Sequence, residues 1–255
     1  SFRERQRLFK DQPSGWDAYN AELISEGGGL FSRNAKSIPV SQAMKERFGI
    51  RSDHVPPNML ITHILKAQSD LLWIGGIGTF VKSRRESHSD VGDKANDGVR
   101  VDGHELGCRV VGEGGNLGLS QLGRIEFALH GGQCNTDFID NAGGVDCSDH
   151  EVNIKILLNH LVDQGDLTLK QRNTMLEEMT DDVARLVLEN NYRQTQAISI
   201  ANVEAAGRME EYRRLIHRYE NAGKLDRQLE FLPDDDALSE RELAGKGLTR
   251  PELCL

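Results

Sequence analysis

The sequence predicts an α/β fold: part of a doubly wound parallel sheet over residues 1–150, followed by a mainly helical extension over 151–255. Two observations carry this. Three short apolar runs, "DLLWI" (70–74), "CRVVG" (108–112) and "TDFID" (136–140), each end in a glycine- or asparagine-rich loop. Their length and abrupt stops fit strands buried in a parallel sheet. From about Ser148 onward, long stretches of helical period replace that rhythm.

Taken in order, residues 1–40 read as irregular, with Gly27-Gly28-Gly29 in their middle. "SQAMKERFG" (41–49) reads as a short helix with Ser41 as N-cap and Gly49 as its stop. Pro56-Pro57 opens a second helix, with Met59, Leu60, Ile64 and Leu65 at helical spacing. The strand at 70–74 follows, then the strand at 108–112, a helix over Gln121 to Leu129, and the strand at 136–140. Strand, glycine turn, helix, strand is the order of a doubly wound sheet. Ligands of such sheets sit beyond the carboxyl ends of the strands, which here means the loops 75–79, 112–118 and 141–148.

Ser148, with Glu151 three residues on, predicts a capping box and a helix start. Another long helix is expected from Thr168, through Met175, Met179, Val183, Leu186 and Val187. A further one is expected from about Ile198 to Asn221. "SERELAGKG" (239–247) reads as a last short helix, and Asp234-Asp235-Asp236 as a solvated loop. The chain of 255 residues begins without Met, and "SFRERQRLFK" reads as the middle of a longer polypeptide.

Composition narrows the function classes. The net charge of −9 argues against a general nucleic-acid binder, although a local basic patch is compatible with it. Mean hydropathy is −0.50, and no apolar run approaches membrane-spanning length, so no membrane partner is expected. Cys108, Cys134, Cys147 and Cys254 show no C-x-x-C spacing, which points away from disulfides and zinc and toward a reducing, cytoplasmic setting. His88, His130, His150 and His160 share no metal-ligand spacing, so no metal site is expected.

The chemistry concentrates in the three loops. "VVGEGGNLG" (110–118) resembles a phosphate loop at first sight. Its glycine spacing departs by one from G-x-G-x-x-G, and Glu113 places a negative charge where a pyrophosphate would lie. A plain glycine turn and a ligand loop built on Glu113 and Asn116 are the other readings. Asn both donates and accepts, which suits a ligand bearing amides or hydroxyls. Gly75 and Gly76 either allow a flat ligand to approach the backbone or serve a turn. At the third loop, Asn141 and Gly143-Gly144 end a strand. Ser148 then opens a helix whose N-terminus suits a carboxylate.

Three stretches, in this order, resemble one family: "KAQSDLLWIGGIGTFVK", "VVGEGGNLGLSQLGRIEF" and "NTDFIDNAGGVDCSDHEVNIK". It is the large-subunit bacterial NAD-specific glutamate dehydrogenases. "SFRERQRLF", "LISEGGGLFSRNAKSIPV" and "GLTRPEL" are similar to its flanking segments, so the resemblance covers essentially the whole chain. It implies the second part of a Rossmann-like NAD-binding domain with a helical extension. It also implies oxidative deamination of L-glutamate to 2-oxoglutarate and ammonia, NAD as cofactor, and a homo-oligomer in the full-length enzyme. By that resemblance Asn116 faces the nicotinamide, and Gly75, Gly76, Glu113, Gly114 and Asn141 line the cofactor cleft. Ser148 holds the substrate carboxylate. The family's phosphate fingerprint, ribose-binding acid and catalytic Lys and Asp are expected upstream of Ser1. No catalytic residue is therefore assigned here, and the chain by itself is expected to be inactive.

Two other readings stand beside this one. Residues 150–255 could serve as a regulatory or assembly module. Alternatively, the enzyme could oxidise another amino acid; Ser148 disfavours that, because an apolar pocket has no use for a carboxylate-binding hydroxyl.

Overall fold

The computed structural model describes residues 2–11 and 15–255. Of the expected irregular stretch 1–40, Ser1 and residues 12–14 lie outside the described residues. The rest begins with helix α1 (Phe2–Lys10), followed by single 3-10 turns at 16–18 and 21–23. A helix thus stands where irregular structure was expected. Its Glu4 is buried, pairs with Arg7 at 2.6 Å, and accepts the Asn20 amide at 2.9 Å.

Strand β1 (Ile38–Pro39) pairs antiparallel with β2 (His54–Val55), on either side of α2 (Gln42–Phe48). Helix α2 has the predicted ends. Ser41 Oγ accepts the Met44 amide at 3.2 Å, and Gly49 closes it at φ +65°. Helix α3 (Pro57–Lys66) starts on a proline, where the missing N–H would have no helical partner anyway. Leu60 and Leu65 are buried as expected, whereas Met59 and Ile64 lie on its exposed side.

Strand β3 (Ser69–Ile74) leads to β4 (Val81–Lys82), the short helix α4 (His88–Val91), β5 (Val101–Asp102) and β6 (Cys108–Glu113). The two predicted strands pair in parallel, with Leu71 opposite Val110 and Ile74 opposite Glu113. Strand β4 also pairs in parallel with β5, and a single parallel bridge joins Val81 to Leu119. Among the described residues, strands form three two-stranded sheets. The class is α/β with parallel pairing. Ile74, Val81, Val101, Val111, Leu119 and Phe127 make the core on one face of β3 and β6. On the other face Leu71 and Trp73 remain exposed.

Helix α5 (Gln121–Leu129) has the predicted span, with Ser120 Oγ accepting the Gly123 amide at 3.0 Å. The third predicted strand is absent. Residues 137–140 form one helical turn, α6 (Asp137–Asp140), and the extended contact with β6 is made earlier, at Gln133. There Val111 donates to Gln133 O at 2.9 Å, and Gln133 donates to Arg109 O at 3.0 Å. The reason lies with two aspartates. Asp137 and Asp140 turn their carboxylates onto backbone amides of the 113–117 loop, and one helical turn puts both on the same side.

Helix α7 (Ala142–Asp163) then runs unbroken through Gly143-Gly144 and Ser148. Ser148 therefore caps nothing, and Glu151 pairs with Lys155 one turn on. The expected capping box and the loop 141–148 are both overturned. Gly143 and Gly144 fall in the first turn of α7. Gly143 faces α9, where an added Cβ would make ordinary contact with Val187 and Asn191. The expected change of character at 150/151 falls inside α7; helix takes over from Asp137.

Helix α8 (Leu169–Glu178) starts at a Thr168–Gln171 capping box, and α9 (Thr180–Glu204) follows after Met179. One long helix was expected from Thr168. Ile198, expected as a start, lies buried within α9. Helix α10 (Met209–Asn221) ends where predicted, at Gly223 with φ +64°. Helix α11 (Asp235–Leu243) uses the aspartate run. Asp234 caps it by accepting the Ala237 amide at 2.8 Å, and Asp235 takes Arg227 at 2.9 Å. The run is therefore a helix start, not a solvated loop. Helix α12 (Arg250–Leu253) packs back on α5 and α9. No helix among the described residues is long and apolar enough to cross a membrane.

Candidate functional site

The carboxyl ends of β3 and β6 carry two glycine loops that interlock. The Gly114 and Gly115 amides both donate to Ile74 O, at 2.9 and 3.2 Å. A Cβ on Gly115 would stand 2.8 Å from Gly76 O, and one on Gly114 would strike the Trp73 ring at 2.5 Å. Both glycines are therefore needed for close approach. Gly76 is different, since a Cβ there would meet nothing within 4 Å. The 75–79 turn is fixed further on, where Arg100 Nε donates to Thr79 O at 2.8 Å and the Thr79 amide donates to Asp93 at 2.8 Å.

Glu113 does not face a ligand. It is fully buried, and Arg124 of α5 grips both carboxylate oxygens, at 2.6 and 2.9 Å. One of those oxygens also accepts the Leu119 amide at 3.0 Å. Burial pushes the carboxyl above its ordinary value, and the Arg124 guanidinium opposes that shift. The expectation that this carboxylate takes part in ligand binding is thus corrected: Glu113 is the interior brace of its loop. Arg124 also meets Asp137 at 3.3 Å.

Helix α6 holds the loop from the other side. Asp140 Oδ2 accepts the Glu113 amide at 3.0 Å, and Asp137 Oδ2 accepts the Leu117 amide at 2.8 Å. Leu117 sits at φ +60°, an uncommon conformation for a residue with a Cβ. These clamps bring Asn116 to Asn141, whose Nδ2 donates to Asn116 Oδ1. That bond leaves Asn116 Nδ2 and Asn141 Oδ1 without a partner among the described residues. One donor and one acceptor side by side complement a primary carboxamide.

Ser148 is exposed, seven residues after Asn141. Seven residues turn a helix almost twice, so the two lie on one side of α7, about 10 Å apart along its axis. Gly144 and Val145, between them, are exposed as well. The opposite side packs on α9, where Asn190 donates to Asp146 at 3.0 Å. Gly75, Gly76, Gly114, Asn116 and Asn141 are thus brought together, and Ser148 stands further along the same open side. No group of three or more His, Cys, Asp or Glu among the described residues could hold a metal.

Sequence reasoning missed Arg124, Asp137 and Asp140. Arg124 had a signal: a charge in the apolar stretch "LGRIEFAL" needs a buried partner. The aspartates were hidden by the strand reading of "TDFID".

The family described as bacterial NAD-glutamate dehydrogenase, catalytic domain, matches residues 1–201. NAD-specific glutamate dehydrogenase of Pseudomonas aeruginosa is 64% identical over 253 residues. The proteins of that name from Halomonas elongata and Mycobacterium tuberculosis are 59% and 46% identical, over 253 and 260 residues. Each alignment covers 99% of this chain but 16% of the relative, so the chain spans about a sixth of the length of the relatives it matches. With the family matched over most of its length, the chain belongs to the bacterial NAD-glutamate dehydrogenases.

Proposed function

We propose that residues 1–150 form the second part of a Rossmann-like NAD-binding domain, carrying a helical extension over 151–255, in an NAD-dependent glutamate dehydrogenase. The enzyme oxidatively deaminates L-glutamate to 2-oxoglutarate and ammonia. Bound NAD supplies the hydride acceptor, and the protein orients it and excludes water. The observation that carries this reading is the Asn116–Asn141 pair at the carboxyl ends of two parallel strands. Its free donor and acceptor fit the carboxamide of the nicotinamide. Gly75 and Gly76 let the flat ring approach the backbone, and Gly114 lets the loop lie against Trp73 beside it. Ser148, further along the open side of α7, takes a substrate carboxylate. Glu113 and Arg124 support the loop from beneath. The enzyme's setting on this reading is the cytoplasm.

Steady-state kinetics of Asn116→Ala in the full-length enzyme test the reading. With glutamate and NAD as substrates, kcat/KM for NAD should fall on the order of a hundredfold, since a misplaced reacting group costs about that much. A wild-type value would refute the site.

A further inference from the structure

The last helix of the chain reaches the ligand loop through a line of side chains. Arg250, at the start of α12, donates from Nε to Asn135 Oδ1 at 2.5 Å. The Asn135 amide nitrogen donates in turn to Asp140 Oδ1 at 2.6 Å. Asp140 Oδ2 holds the Glu113 amide, and the next residue, Asn141, holds Asn116. Donation runs from Arg250 through Asn135 to Asp140, which accepts the Glu113 amide from the other side.

Arg250 is itself well fixed. Nη1 donates to Ser199 Oγ at 3.1 Å and Nη2 to Thr195 O at 3.4 Å, both on α9. Helix α12 is seated by Gln121 Nε2 on Pro251 O at 3.1 Å, and by Arg241 on the buried Glu252 at 2.6 Å. A rigid donor at the head of the line fixes which way the Asn135 amide points. That amide in turn fixes the Asp140 carboxylate. Without the guanidinium, the Asn135 oxygen loses its donor, and the side chain is held at one end only, by its bond to Asp140.

We propose that Arg250 is a positioning residue for the cofactor site. It acts through Asn135 and Asp140 to hold Asn116 and Asn141 in the geometry that receives the nicotinamide end of NAD. The helical extension thereby sets the competence of a loop that it does not touch directly. This rests on the reading of Asn116 and Asn141 given above.

A double-mutant cycle in the full-length enzyme tests it, because a purely structural contribution adds to other effects whereas action through a shared partner does not. The four forms are wild type, Asn116→Ala, Arg250→Ala and the double variant, compared by kcat/KM for NAD. Arg250→Ala should lose on the order of tenfold, within the range a small misplacement causes. In the Asn116→Ala background it should lose less than about twofold. Full additivity, or no loss in the single Arg250→Ala variant, overturns the proposal while leaving the site reading in place. A wild-type rate in Asn116→Ala overturns both. Should Arg250→Ala not fold, Asn135→Ala cuts the line while leaving Arg250 its contacts with α9. It should reproduce both the loss and the non-additivity, and a wild-type kcat/KM in that variant counts against the proposal.

Discussion

Arg124 holds both carboxylate oxygens of Glu113 beneath the ligand loop, and neither side chain is open to water. Charges so placed stabilise little as a pair but cost much when one is left alone. Arg124→Met should therefore destabilise the protein by about 3–5 kcal/mol. Replacing both, as in Arg124→Met with Glu113→Leu, should restore part of that loss. Denaturant unfolding midpoints measure this, and a single-variant loss below about 1 kcal/mol would show that the pair braces nothing.

Two glycines separate fold from ligand contact. Gly115→Ala would push a methyl group to 2.8 Å from Gly76 O and force the two loops apart. It should lower both stability and NAD affinity. Gly76→Ala meets open space, so its melting temperature should stay near wild type while NAD binding weakens. Calorimetric titration with NAD beside thermal melts distinguishes them. Unchanged NAD affinity in Gly76→Ala would remove that residue from the cleft.

Ser148 faces the open side of α7 without a bond that the fold needs. Ser148→Ala in the full-length enzyme should raise the glutamate KM about tenfold or more, the value of a hydrogen bond to a charged group. NAD binding should be nearly intact. An unchanged glutamate KM rules out the substrate assignment.

Glu126 predicts a feature of acid denaturation. Burial alone would raise its pKa. Hydrogen bonds from Ser83 Oγ, His104 and the amides of His104 and Arg84 overcome that and hold it at about 2, against an ordinary 4.5. A lowered carboxyl pKa stabilises the fold above the unfolded value, and that share is lost as pH falls through the window from about 4.5 toward 2. Glu126→Gln should flatten the dependence of urea midpoint on pH in that window. Equal slopes for variant and wild type would contradict the assignment.

Much of the sheet region was legible because its signals are local. Ser41 and Gly49 bound α2, Ser120 starts α5, and the runs at 70–74 and 108–112 form the parallel pair. The errors cluster where tertiary contacts outrank local pattern. "TDFID" reads as a short strand run before an asparagine- and glycine-rich loop, but its aspartates are recruited by the loop amides of Glu113 and Leu117. Ser148 and Glu151 match a capping box, yet α7 already begins at Ala142 and packs along α9. Glu113 looked like a ligand residue because its partner, Arg124, lies 11 residues on, across a turn. Asn116 and Asn141 of the proposed site were named from residue type, position and the family resemblance. The bond between them needed the fold.

The central claim concerns where the reactive end of NAD lies. A structure of the full-length enzyme with NAD bound measures it most directly. The nicotinamide carboxamide should lie within hydrogen-bond distance, about 3 Å, of Asn116 Nδ2 and Asn141 Oδ1. A nicotinamide ring bound away from these two side chains would contradict the account.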